Sequence, residues 1–113
     1  MTRLMICAVL ASVLSACGFS TPVAFHNTSG HRLEGVVLSG SGFKASLGVV
    51  APSQSVTAHV YPAGESGLAV SFTANGREYS YEPQNYFEGG GSYKVSAKVN
   101  DDLTVAVASE IGP

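Results

Sequence analysis

The stretch Leu68 to Tyr81, LAVSFTANGREYSY, decides the fold class. Leu68, Val70, Phe72 and Ala74 alternate with Ala69, Ser71, Thr73 and Asn75, which is the two-residue period of a strand with one buried face. Asn75 and Gly76 then supply two residues that accept positive φ, as a tight type I′ turn requires. A two-residue loop fixes the register, setting Ala74 opposite Arg77, Thr73 opposite Glu78, Phe72 opposite Tyr79 and Val70 opposite Tyr81. One face of this hairpin carries Val70, Phe72, Tyr79 and Tyr81, and the other carries Ser71, Thr73, Glu78 and Ser80. Turn chemistry and hydrophobic pattern therefore specify the same pairing.

Tyr93, Val95, Ala97 and Val99 alternate with Lys94, Ser96 and Lys98, and Leu103, Val105 and Val107 alternate with Thr104 and Ala106. A two-residue loop would set Lys98 against Leu103. A three-residue loop, Asn100 to Asp102, sets Val99 against Leu103 and Ala97 against Val105, with Asp102 near the left-handed conformation. Further strands are expected at Val23 to Asn27, Arg32 to Leu38, Phe43 to Val49 and Ser55 to Tyr61, with turn-forming residues between them. The alternation slips between Leu33 and Val36, and Gly35 marks a bulge there. Short strands about ten residues apart, with no helical period and no repeat, predict an all-β fold. The expectation is a small antiparallel two-sheet sandwich of about seven to eight strands, immunoglobulin- or transthyretin-like, with a small β-barrel as the alternative.

The N-terminus follows a different rule. Arg3 precedes a nearly unbroken apolar run from Leu4 to Leu14, which Ser15, Ala16 and Cys17 interrupt. That run is roughly half of the ~20 apolar residues a helix needs to cross a bilayer, so a cleavable signal peptide is the expected reading. Leu14, Ser15, Ala16, Cys17 and Gly18 resemble the lipobox of bacterial lipoproteins. The resemblance implies a lipid on the Cys17 sulfur, cleavage between Ala16 and Cys17, and further acylation of the new amino group. Two or three acyl chains make a durable anchor where one gives only marginal binding. By resemblance to lipoprotein sorting, Gly18 in place of an aspartate retention signal implies, in a host with two membranes, the outer membrane (periplasmic leaflet) over the inner membrane. The expected organisation is a signal peptide at 1–16, a short tether at 17–22 and a β-sandwich domain at 23–113.

Cysteine count and charge narrow the partners. Cys7 lies in the segment to be removed, leaving Cys17 alone, so neither an internal disulfide nor a cysteine metal cluster is expected in the mature chain. The full chain has 113 residues, 12% of them charged, and a formal net charge of −2. Arg32, Lys44, Arg77, Lys94 and Lys98 form no run, which argues against nucleic acid and against a polybasic contact with anionic lipid. The expected partners are membrane lipid, through Cys17, and an unidentified envelope protein.

Catalytic and cofactor chemistry find no support in the pattern. His26, His31 and His59 match no zinc spacing, so no metal or other cofactor is expected. Gly64 to Gly67 reads as a turn rather than a nucleophile elbow, and Gly89 to Gly91 lacks the Lys and Ser/Thr of a phosphate-binding loop. Glu82 and Glu88 flank an aromatic loop without indicating a glycosidase cleft. Asn27, Thr28 and Ser29 match a glycosylation sequon that a bacterial export signal makes incidental.

The segment Tyr79 to Tyr93 crowds Tyr79, Tyr81, Tyr86, Phe87 and Tyr93 around what reads as one long connection. In one reading these rings fill the core edge and pin the loop. In the other, Tyr86 and Phe87 stand exposed as anchors, and Asn85, Glu88 and Gln84 form a polar rim. Tyr86, Phe87, Asn85 and Glu88 are accordingly the candidate partner contacts. The expected function is that of a non-catalytic envelope lipoprotein, a binding or accessory module at the membrane surface. The alternative is a lipoprotein resembling immunity factors or lysozyme inhibitors, which block an envelope-directed hydrolase.

Overall fold

A computed structural model describes residues 20–112. The lipobox, Cys17 and the signal-peptide assignment lie outside the described residues. Eight strands follow in order: β1 (Thr21–Asn27), β2 (Leu33–Gly40), β3 (Phe43–Val50), β4 (Ser55–Val60), β5 (Glu65–Ala74), β6 (Arg77–Glu88), β7 (Tyr93–Val99) and β8 (Val105–Ile111). They form two four-stranded sheets, β4-β1-β7-β8 and β3-β2-β5-β6, in a β-sandwich whose sheets are not closed into a barrel. All strand pairs are antiparallel except β1 and β7, where Val23 lies beside Val95 in parallel.

The β5–β6 hairpin has the register set by its turn: Ala74 opposite Arg77, Thr73 opposite Glu78, Phe72 opposite Tyr79 and Val70 opposite Tyr81. Asn75 and Gly76 take φ of 54° and 73°, the two left-handed residues of the turn. Phe72 stacks on Tyr79 with ring centroids 5.3 Å apart. Gly35, at φ 57°, sits where the β2 register shifts between Leu33 and Val36, so a bulge returns both Leu33 and Val36 to the core.

The core is the inward face of both sheets. Val23 and Phe25 of β1 and Val95, Ala97 and Val99 of β7 meet Leu33, Val36 and Leu38 of β2 and Leu68, Val70 and Phe72 of β5, all buried. Burying a valine, leucine or phenylalanine fully is worth roughly 1.5–3 kcal/mol, and this packing holds the domain. Among the described residues every buried side-chain nitrogen and oxygen has a hydrogen-bond partner.

Three boundaries differ from expectation. The β7–β8 loop runs from Asn100 to Thr104, with Val99 opposite Val105 and Ala97 opposite Val107. Leu103, not Asp102, takes the left-handed conformation, at φ 68°. Asp102 instead accepts bonds from the Thr104 amide at 3.1 Å and the Thr104 hydroxyl at 2.6 Å, while the Leu103 side chain turns into the core. The longer loop adds two residues and so preserves parity. β5 begins at Glu65, so Glu65 to Gly67 pair in the sheet rather than turning. β1 begins at Thr21, which is buried, so Thr21 and Pro22 belong to the sheet and not to a tether.

Candidate functional site

The residues singled out between Tyr79 and Tyr93 lie mostly in a strand rather than a loop. β6 runs on to Glu88, and the connection to β7 is only Gly89 to Ser92. Two register shifts interrupt β6: Tyr81 faces Val70, Gln84 faces Leu68, and Phe87 faces Ser66. Each shift places three residues of β6 against two of β5, so inward positions recur every third residue. Asn85, at φ 59°, sits in the second of these bulges.

The four candidate contacts consequently separate. Phe87, a candidate exposed anchor, is fully buried and packs on Phe43 with centroids 6.1 Å apart, because the double bulge turns it inward. Truncating it would test stability, at about 3–5 kcal/mol, and not partner binding. Asn85 is exposed, and its side-chain amide donates to the Val107 carbonyl of β8. Tyr86 is 48% exposed, its hydroxyl donates to the Glu88 carboxylate, and its ring meets the edge of Tyr93 at 6.2 Å. That bond to Glu88, with smaller contributions from desolvation and from the charges of Glu88 and Glu65, pushes the Tyr86 phenol up to about 12. Tyr86 and Glu88 thus form a neutral-phenol and carboxylate pair at the surface.

This region belongs to one end of the sandwich, reached by following the registers. Thr21 pairs with Val60, Val23 lies beside Val95, and Tyr93 pairs with Ile111. The start of β1, the Tyr61 that follows β4, the start of β7 and the end of β8 therefore stand together. Gly89 donates to the Gly64 carbonyl at 3.0 Å, and Ala63 donates to the Ser41 carbonyl at 2.9 Å, which brings the second sheet's end alongside. A shallow groove opens here, lined by Ser20, Pro22, Gly91, Ser92, Tyr93 and Lys94. Tyr61 and Ile111 flank it, 59% and 74% exposed. Ile111 shares the inward parity of Val105 and Val107 but lies past the point where the opposite sheet covers it.

The other end is polar and tied together. Asn27, buried, donates to the His31 carbonyl at 2.8 Å and the Val50 carbonyl at 3.1 Å, and accepts from the Ser29 amide and hydroxyl. The Thr28 hydroxyl donates to the Val99 carbonyl at 2.7 Å. The sequon residues thus build a turn that joins β1 to β3 and β7, a role the sequence reading missed. Only a buried-asparagine signal would have revealed it, and composition does not carry one.

The histidines do not converge. His26 lies within 2.7 Å of the Ser55 hydroxyl on the outer face, His31 meets Asn75 at 3.2 Å, and His59 is exposed opposite Pro22. Among the described residues no three His, Cys, Asp or Glu side chains come together as a metal site.

No protein-family model and no curated protein matches the chain. A solved structure described as the NMR structure of the protein from Eubacterium rectale is similar, with a TM-score of 0.56 and 14% identity. The match covers 82% of this chain and 90% of that one. At that identity the likeness concerns the fold alone.

Proposed function

We propose that this chain is a lipid-anchored envelope protein, which holds a non-catalytic β-sandwich at the membrane surface as a binding or accessory module. The observation that carries this reading is the lipobox-like Leu14, Ser15, Ala16 and Cys17, followed after only three residues by β1. From Cys17 to Thr21 the chain makes four residue steps, at most about 14 Å when fully extended. Lipidation at Cys17 therefore places the domain directly on its membrane. The outer membrane is the address that Gly18 favours by resemblance to lipoprotein sorting.

Mass spectrometry of the mature N-terminus tests the reading, together with membrane fractionation of wild type and Cys17→Ser. The expected result is an acylated N-terminal Cys17, and loss of membrane retention in the variant. An unmodified N-terminus, or a Cys17→Ser protein that stays with the membrane, overturns it. Crosslinking from membranes with Tyr86→Ala, which is exposed and leaves the core intact, then asks whether a partner uses that ring.

A further inference from the structure

The described residues expose four large apolar side chains, Val49, Tyr61, Tyr86 and Ile111. Three of them stand at the end of the sandwich where β1 begins, and Val49 alone lies toward the opposite end. A random scatter of surface hydrophobics needs no explanation, but a cluster at the point of attachment does. Tyr61 follows the edge strand β4, and Ile111 ends the other edge strand β8. Three interstrand spacings of about 4.8 Å set them roughly 14 Å apart across the sheet's end. Tyr86 stands on the adjoining edge of the second sheet, against Tyr93. The three side chains thus span the end of the domain in two directions.

We propose that this end docks into the headgroup region of the bilayer, with Tyr61, Tyr86 and Ile111 as its contacts and a zwitterionic lipid surface as the occupant. This inference rests on the lipid-anchor reading, which fixes which end meets the membrane. Four residue steps from Cys17 to Thr21 leave too little chain for the domain to turn its other end down. Tyrosine suits the site because its ring is apolar and its hydroxyl wants a polar partner, the combination that enriches it at membrane interfaces. Charge bears on the lipid. Glu65 lies opposite Glu88 at this end, Glu110 lies opposite Lys94 and Lys44 lies opposite Ser39, so three acidic groups face two lysines and an anionic surface gains no net attraction. The ammonium of a zwitterionic headgroup complements Glu65 and Glu88.

The chain contains no tryptophan, so a single introduced tryptophan is an unambiguous fluorescent reporter. Tyr61→Trp, Ile111→Trp and, as a control at the far end, Val49→Trp all change exposed positions and leave the core untouched. Each full-length protein is purified from membranes, its N-terminus is weighed, and it is placed in phosphatidylcholine vesicles whose acyl chains carry bromine quenchers. Apolar faces at interfaces sit about 5–10 Å deep, so quenching at 61 and 111 should exceed that at 49 by about twofold or more. Serine at both 61 and 86 in the Ile111→Trp protein should reduce the quenching, and adding anionic lipid should not increase it. Equal quenching at all three positions in an acylated protein overturns the docking while leaving the anchor intact. A blue shift at 61 and 111 that depends on protein concentration, without bromine quenching, overturns it in favour of self-association. An unmodified N-terminus defeats the anchor reading on its own. Quenching on addition of such a protein to vesicles still supports the docking, and its absence overturns that too.

Discussion

Asn27 shows how much structural consequence one polar side chain carries. Its amide satisfies two backbone carbonyls, those of His31 and Val50, and its oxygen receives two donors from Ser29, all in a buried setting. A buried group left without a partner costs about 1–3 kcal/mol, so Asn27→Ala should lose about 2–4 kcal/mol of stability. Urea denaturation checks this as a lower midpoint at unchanged slope. A loss below about 0.5 kcal/mol, the range of ordinary surface substitutions, would show that the turn is held by its backbone bonds alone. Tyr86 makes the opposite case, a strong pairing at an exposed position. The Glu88 carboxylate accepts from its hydroxyl and holds its proton, so the phenol ionises near 12 instead of its ordinary 10.0. Because the folded value is the raised one, this pairing contributes fully below about pH 10 and is lost as pH rises through about 12. Glu88→Gln should bring the Tyr86 titration, followed by the NMR shift of its ring carbon, back toward 10.0, with little change in stability at neutral pH. A titration that stays near 12 in the variant would assign the shift to desolvation instead.

Strand β6 joins the two sheets without a backbone ladder between them. The Tyr81 hydroxyl donates to the Leu103 carbonyl at 2.7 Å, the Asn85 amide donates to Val107, and the Ser109 hydroxyl donates to the Tyr86 carbonyl at 2.7 Å. These side-chain bonds lace one edge of the sandwich, from the β7–β8 loop along β8. Burial, followed by the charges of Tyr79 and Asp102, raises the Tyr81 phenol above its ordinary value and keeps it a donor. Tyr81→Phe should therefore cost about 1–2 kcal/mol, and hydrogen exchange of the Leu103 to Val107 amides should quicken more than that of β1. Uniform acceleration across both sheets would mean that the bond supports global stability only. The hairpin from Leu68 to Tyr81 was legible in the sequence because period and turn residues imposed one register. The rest of β6 was not, since two bulges place Tyr81, Gln84 and Phe87 inward every third residue, a period that belongs to neither strand nor helix. Tyr86, Asn85 and Glu88 were therefore recognisable as surface candidates, whereas Phe87, read as an exposed anchor, lies in the core. In the β7–β8 loop parity survived and length did not, because Leu103 reaches the core from within the loop, a placement alternation alone does not encode.

The two ends of the molecule differ in kind, and the difference gives the domain a direction. At one end, Asn27, Ser29 and Gln54 bind backbone groups, and the loops Ala51 to Gln54, Asn75 to Gly76 and Asn100 to Thr104 are exposed over most of their length. At the other, Tyr61, Tyr86 and Ile111 surround the groove that begins at Ser20. A sandwich set on its aromatic end lifts the polar loops away from the bilayer by the length of its strands. A seven-residue strand such as β1 spans about 23 Å. A soluble or envelope partner would then meet the polar loops and the outer sheet faces, while the tyrosine-rich end is occupied by lipid. Hydrogen exchange on the reconstituted protein distinguishes the ends directly. Relative to the protein in mild detergent, vesicle binding should protect the amides of Ser41 and Gly42 and of Gly90 to Ser92, and leave those of Asn75, Gly76 and Asp101 to Thr104 unchanged. Protection of the Asn75 and Asp101 turns instead would place the opposite end on the membrane. That orientation would require a tether longer than the residues between Cys17 and Thr21 can supply, so the same result would also move the attachment point away from Cys17.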